Sequence, residues 1–98
     1  MNLEAIYEGI KEKAANLDSI DATLKMVVDD QIIYVDGTGE GNVVSQDDKD
    51  ADCVISTSID TMKELLSGNS NPMMAVMMGK VKIKGDMGVA MKVQSLLG

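Results

Sequence analysis

The sequence predicts an α+β domain, a five-stranded, mostly antiparallel sheet covered by helices in the order α-β-β-β-β-α-α-β-α. Three observations lead there. An amphipathic helical pattern opens the chain, and four strand-like runs with short links follow between Ala22 and Thr57. The stretch Asn71 to Gly98 then reads helix, strand, helix, each with dense apolar content. Each element buries one face, so a sheet with helices laid on it is the simple solution, and the four consecutive strands read as an antiparallel meander.

Residues 2–17 form the first helix, with Leu3, Ile6, Tyr7, Ile10, Ala14 and Leu17 on one face and Glu4, Glu8, Lys11, Glu12 and Asn16 opposite. Asn2 is its N-cap. From Ala22, Leu24, Met26 and Val28 alternate with Thr23, Lys25 and Val27. Asp29-Asp30 turns the chain, and Gln31 to Val35 returns as a hairpin partner. The unbroken run Ile32 to Val35 suggests a strand covered on both faces. A Gly-rich loop leads to a short strand from Asn42 to Gln46, and an acidic link leads to a fourth strand from Ala51 to Thr57.

Ser58 caps a helix from Ile59 to Ser67, which Gly68 ends. Asn71 as N-cap and Pro72 at the first helical position start the next helix, Met73-Met74-Ala75-Val76-Met77-Met78, and Gly79 closes it. Lys80 to Lys84 alternates, with Val81 and Ile83 to one side and the lysines to the other. After Gly85, Asp86 caps a last helix to Leu97. One of its stripes is Met87, Ala90, Met91 and Leu97, and a second is Val89, Val93 and Leu96.

Composition excludes more than it specifies. Ninety-eight residues, 1–98, make a single domain, with 45% apolar and 26% charged residues. No apolar run approaches the roughly 20 residues of a membrane span, and the N-terminus lacks the basic flank and apolar block of a secretory signal. The one cysteine, Cys53, cannot form an internal disulfide and fits a reducing cytoplasm. There is no His, Arg, Trp or Phe. That removes the usual metal ligand and acid–base group, and it removes bidentate phosphate recognition. A net charge of −7 with two tyrosines as the sole aromatics argues against nucleic acid.

Charge and methionine are both skewed along the chain. Residues 1–79 hold 5 Lys against 15 acids, whereas residues 80–98 hold 4 Lys against Asp86 alone. Lys80, Lys82, Lys84 and Lys92 are either a solvated face or a basic patch for an anionic headgroup or lipid surface. Six of the nine methionines lie between Met73 and Met91.

Catalytic and metal motifs fail on inspection. Gly37-Thr38-Gly39-Glu40-Gly41 lacks dinucleotide-loop spacing, and Gly79 to Gly85 continues with Asp86 where a phosphate loop requires Lys. Asp48, Asp50 and Asp52 begin like a calcium loop, but Cys53 replaces the required Gly and Ile59 the bidentate Glu. Cys53 has no His to serve as its base and reads as a small buried residue. No enzyme, metal or cofactor is expected.

The methionines remain. An all-apolar helix needs cover on every side, from its own core, from a partner or from an apolar ligand. Fixed cores favour branched side chains, while flexible, polarizable Met suits surfaces that fit variable apolar partners. The two readings carried forward are a lipid-binding protein without catalysis and an interaction module whose Met-rich surface is buried in a homodimer or partner subunit. If the helix lines a tunnel, Met77→Asp should abolish binding.

Asn71-Pro72, then Ala75-Val76-Met77-Met78-Gly79-Lys80-Val81-Lys82-Ile83-Lys84-Gly85, then Met87-Gly88-Val89-Ala90-Met91-Lys92, resembles the C-terminal signature of the sterol carrier protein type-2 domain family. The match is dense over about 25 residues, and the rest agrees in element order. The resemblance implies a helix-covered five-stranded sheet with a hydrophobic tunnel. It also implies a non-catalytic carrier of fatty acid, fatty acyl-CoA or sterol-like lipid. Carried over residue by residue, the lipid would meet Met73, Met74, Val76, Met77, Met78, Val81, Ile83, Met87, Ala90 and Met91. Lys80, Lys82, Lys84 and Lys92 would face a headgroup or make transient contact with a membrane surface. A cytoplasmic location is expected.

Overall fold

The computed structural model describes residues 3–69 and 71–97, with side chains for residues 4–69 and 71–92. The readings made for Asn2 and for the side chains of Leu3, Val93, Leu96 and Leu97 lie outside the described residues. The elements are α1 (Leu3–Ala15), β1 (Thr23–Val28), β2 (Gln31–Asp36), β3 (Val43–Ser45) and β4 (Cys53–Thr57). They continue with α2 (Ile59–Leu66), α3 (Pro72–Met77), β5 (Val81–Gly85) and α4 (Met87–Leu97). Element order is as the patterning predicts.

The order of strands across the sheet departs from a meander. It runs β3-β2-β1-β4-β5, with three antiparallel pairs and one parallel pair, β1 with β4. The acidic link after β3 explains the departure, because it crosses back over the sheet rather than turning tightly. Lys25 and Tyr34 are cross-strand partners, and their neighbours Leu24, Met26, Ile33 and Val35 are buried beneath the helices. Lys25 and Tyr34 therefore face the other way. There the link lies on them: Lys25 Nζ meets Asp48 Oδ1 at 3.0 Å, and the Tyr34 hydroxyl donates to the Asp50 carbonyl at 3.0 Å. The expected two-sided cover of β2 thus comes from helices on one face and this link on the other.

Alternation drives the core. Leu24, Met26 and Val28 of β1 face Ile33 and Val35 of β2 and Cys53 and Ile55 of β4 on one side of the sheet. Ile6, Ile10 and Ala14 of α1 and Met62 and Leu65 of α2 close over them. A fully buried side chain of this kind contributes about 1.5–3 kcal/mol. α1 ends two residues sooner than its pattern extends, and its last turn tightens through Asn16 N–H to Lys13 O and Leu17 N–H to Ala14 O. Asn42 then fastens this corner. Its Oδ1 accepts the Ile20 N–H at 3.0 Å, and its amide is shared among the carbonyls of Ala14, Leu17 and Asp18 at 3.1–3.3 Å.

Helix ends in the second half follow their sequence signals. Ser58 Oγ accepts the Thr61 N–H at 3.1 Å, and Asn71 Oδ1 accepts the Met73 N–H at 2.8 Å. Gly68 and Gly79 close α2 and α3 in the left-handed region, with φ of 81° and 76°. Asp86 Oδ1 accepts the Gly88 N–H at 2.8 Å at the start of α4.

Candidate functional site

The site grows out of the edge of the sheet. β5 pairs with β4 so that Ile83 stands opposite Ile55 and Val81 opposite Thr57. Alternation turns Ile55, Val81 and Ile83 toward the helical side. Among the described residues no strand pairs with the outer edge of β5, and α3 and α4 supply the cover there. α3 is only six residues long. Ala75 is buried in the core and Val76 packs partly against it, while Pro72, Met73 and Val76 look across a gap toward Met87, Ala90 and Met91 of α4. Leu65 of α2 completes the wall.

The gap is a cavity of about 230 Å³. Every described side chain that lines it is apolar, so these residues offer no acid–base group for catalysis. It is open on the methionine side, where Met73, Met87 and Met91 are 55%, 58% and 70% exposed. Cys53, next along β4's inward face from Ile55, is buried and does not line the cavity. Burial raises its thiol pKa above the ordinary value of 9.0, with a smaller contribution from Asp86. Among the described residues, no group of three or more His, Cys, Asp or Glu could hold a metal ion. No described helix is long and apolar enough to cross a membrane.

The residues singled out from sequence separate into two sets. Met73, Val76, Val81, Ile83, Met87, Ala90 and Met91 line the cavity. Met74, Met77 and Met78 do not, and they are 52%, 79% and 63% exposed. The reason is geometric: a helix of one and a half turns offers the gap one side, so an all-apolar sequence does not become an all-lining helix. Reasoning from sequence missed Ile55, Leu65 and Pro72. The alternation of β4 toward Ile55 was the available signal for the first, and the apolar side of α2 for the second.

The four lysines are not gathered at the mouth. Lys80, which directly precedes the lining Val81, lies 4.0 Å from Glu64 Oε2. Lys82 and Lys84 alternate with Val81 and Ile83 and so project from the opposite face of the sheet, where they are exposed. Lys92 reaches away from the cavity and donates to the Ile20 carbonyl at 3.0 Å.

The sequence profile of the SCP-2 sterol transfer family matches residues 3–98. Sterol carrier protein 2 of Rattus norvegicus is 47% identical over 58 residues, 59% of this chain and 11% of that protein. The chain thus spans about a tenth of the length of the curated relatives it matches first. The crystal structure of sterol carrier protein 2-like 2 from Aedes aegypti superposes with a TM-score of 0.78 at 20% identity, covering 94% of this chain and 93% of that one. The solution structure of the same mosquito protein in palmitated form superposes with a TM-score of 0.75 at 18% identity, covering 99% and 95%.

Proposed function

The chain belongs to the SCP-2 sterol transfer family, a family of lipid-binding and lipid-transfer domains, and we propose that its cavity holds the hydrocarbon tail of a fatty acid or fatty acyl-CoA without catalysis. One observation carries this reading: the gap between β4–β5 and α3–α4 is about 230 Å³, and the described side chains that line it are all apolar. A dry apolar cavity of about 150 Å³ already accepts benzene, whereas pockets for whole small molecules span about 300–1,000 Å³. The void is therefore suited to a length of flexible tail. The remainder of the tail extends past Met73, Met87 and Met91, whose unbranched side chains adapt to it.

A linear tail fits better than a sterol. A fused-ring body is rigid and needs its full volume in one piece, while a tail enters by segments. The palmitated form of the related mosquito protein supports the same preference. The headgroup then stays at the open side, where Met73, Met87 and Met91 are exposed.

The exposure of Met74, Met77 and Met78 away from the cavity favours a second reading, an accessory module whose methionine surface is covered in a homodimer or partner subunit. Native mass spectrometry separates the two. Protein purified without detergent is expected to carry fatty acid and to release a fluorescent fatty acid to palmitate at about micromolar concentration. A sterol should compete poorly. Absence of both co-purified lipid and displacement, together with a dilution-resistant dimer, would favour the second reading.

A further inference from the structure

Beyond holding a ligand, the cavity wall carries reactive chemistry. Nine residues of the chain are methionine, and the fold sorts those from Met26 to Met91 into three classes. Met26 and Met62 are fully buried in the core. Met74, Met77 and Met78 are exposed and off the cavity. Met73, Met87 and Met91 are more than half exposed and line it. Among the described lining residues, the only polarizable heteroatoms in side chains are these three thioether sulfurs, because the others are Ile, Leu, Val, Pro and Ala.

We propose that Met73, Met87 and Met91 form an oxidation site at which a hydroperoxide switches the cavity from apolar to polar and expels its guest. In the step, the peroxide O–O bond breaks and one oxygen atom passes to sulfur, forming the S=O bond. Sulfur is oxidised by two electrons, and the peroxide is reduced to water, or to an alcohol if it is a lipid hydroperoxide. The sulfoxide oxygen is a strong acceptor, and no side chain among the described lining residues can donate to it. It remains satisfied only while water occupies the mouth, and an apolar guest displaces that water. Sulfoxide reductases reverse the change, which is the reversibility a switch at this site requires.

The inference rests on the cavity as an apolar binding site, and its test is arranged to stand apart from the fatty-acid reading. An anilinonaphthalene dye serves as the apolar probe. Hydrogen peroxide is expected to convert Met73, Met74, Met77, Met78, Met87 and Met91 in folded protein, mapped by peptide mass spectrometry, while Met26 and Met62 stay reduced. Dye affinity then falls about tenfold or more at unchanged far-UV circular dichroism, as expected for an unpaired polar group facing an apolar guest. Methionine sulfoxide reductases restore it.

The variant Met73→Leu/Met87→Leu/Met91→Leu keeps its dye affinity through the same treatment. Should that variant fold poorly, the single Met91→Leu, at the most exposed of the three, shows a smaller loss than the parent. Unchanged dye affinity after full conversion of the three lining methionines would overturn the proposal, as would an equal loss in the leucine variants. With palmitate demonstrably bound, Met73, Met87 and Met91 oxidise more slowly and Met77 does not. Equal protection of all four would also count against it. Failure of palmitate to bind at all would strike the fatty-acid reading and leave the dye result standing.

Discussion

Ile55 of β4 stands directly opposite Ile83 of β5 in antiparallel register, and both side chains form the sheet wall of one cavity. Ile55 is buried, while Ile83, on the edge strand, is half-buried. Ile83→Asp therefore places a carboxylate in the cavity wall at limited cost to the fold. Binding of a fluorescent fatty acid is expected to drop by about two orders of magnitude, since a charge facing an apolar tail has no partner. Retained binding in a folded variant would remove the cavity from the mechanism.

Neighbouring positions on α3 should behave oppositely. Val76 lines the cavity and Met77 does not, so Val76→Asp abolishes fatty-acid binding and Met77→Asp leaves it within about threefold. This reverses the expectation drawn from sequence for Met77. Titrating the two variants side by side checks it, and a larger effect at Met77 would contradict the geometry.

Asn42 joins β3's approach to the end of α1 through four backbone partners. Asn42→Ala leaves the Ile20 N–H and three carbonyls without that side chain, and should cost about 2–3 kcal/mol in urea denaturation. Asn42→Asp should cost more, because a carboxylate would face carbonyl oxygens where the amide now donates.

Gly85 has φ of 102°, and a Cβ there would overlap the Asp52 carbonyl oxygen, which accepts the Asp86 N–H at 2.8 Å. Gly85→Ala is expected to destabilise by about 2–4 kcal/mol. Because β5 carries part of the cavity wall, ligand affinity should fall as well.

The buried Cys53 thiol has its pKa raised by burial. The folded state therefore holds its proton where the unfolded chain releases it. Stability from this group is complete below the ordinary value of 9.0 and is lost as pH rises from there toward the raised value. Comparing wild type with Cys53→Ala across pH 8 to 11 (about the range in which thiols titrate) should show the extra alkaline loss only in wild type. Native protein should also resist thiol reagents until unfolded.

Much of this was legible before any coordinates. Hydrophobic period placed the nine elements, and Ser58, Asn71, Gly68, Gly79 and Asp86 marked helix ends because each signal acts within a few residues. The parallel pairing of β1 with β4 was not legible. It depends on the acidic link crossing the sheet through Lys25 and Tyr34, a contact between segments over 15 residues apart in sequence. Half-legible was the cavity. Met73 and Val76 could be named from the run that contains them, but the helix's rotation, which leaves Met74, Met77 and Met78 outside, is set by Ala75 docking on the core. Ile55 and Leu65 read as ordinary interior residues because a cavity wall and a core share one pattern.

Among the described residues, those that line the cavity all lie between Ile55 and Met91. The opening helix and hairpin contribute the platform and none of the wall. Inheritance can therefore treat the two parts separately. Lengthening or trimming the few residues between Asn71 and Gly79 would resize the space for a guest while the parallel seam of β1 and β4 stayed as it is. A lineage can alter that space without relearning how to fold.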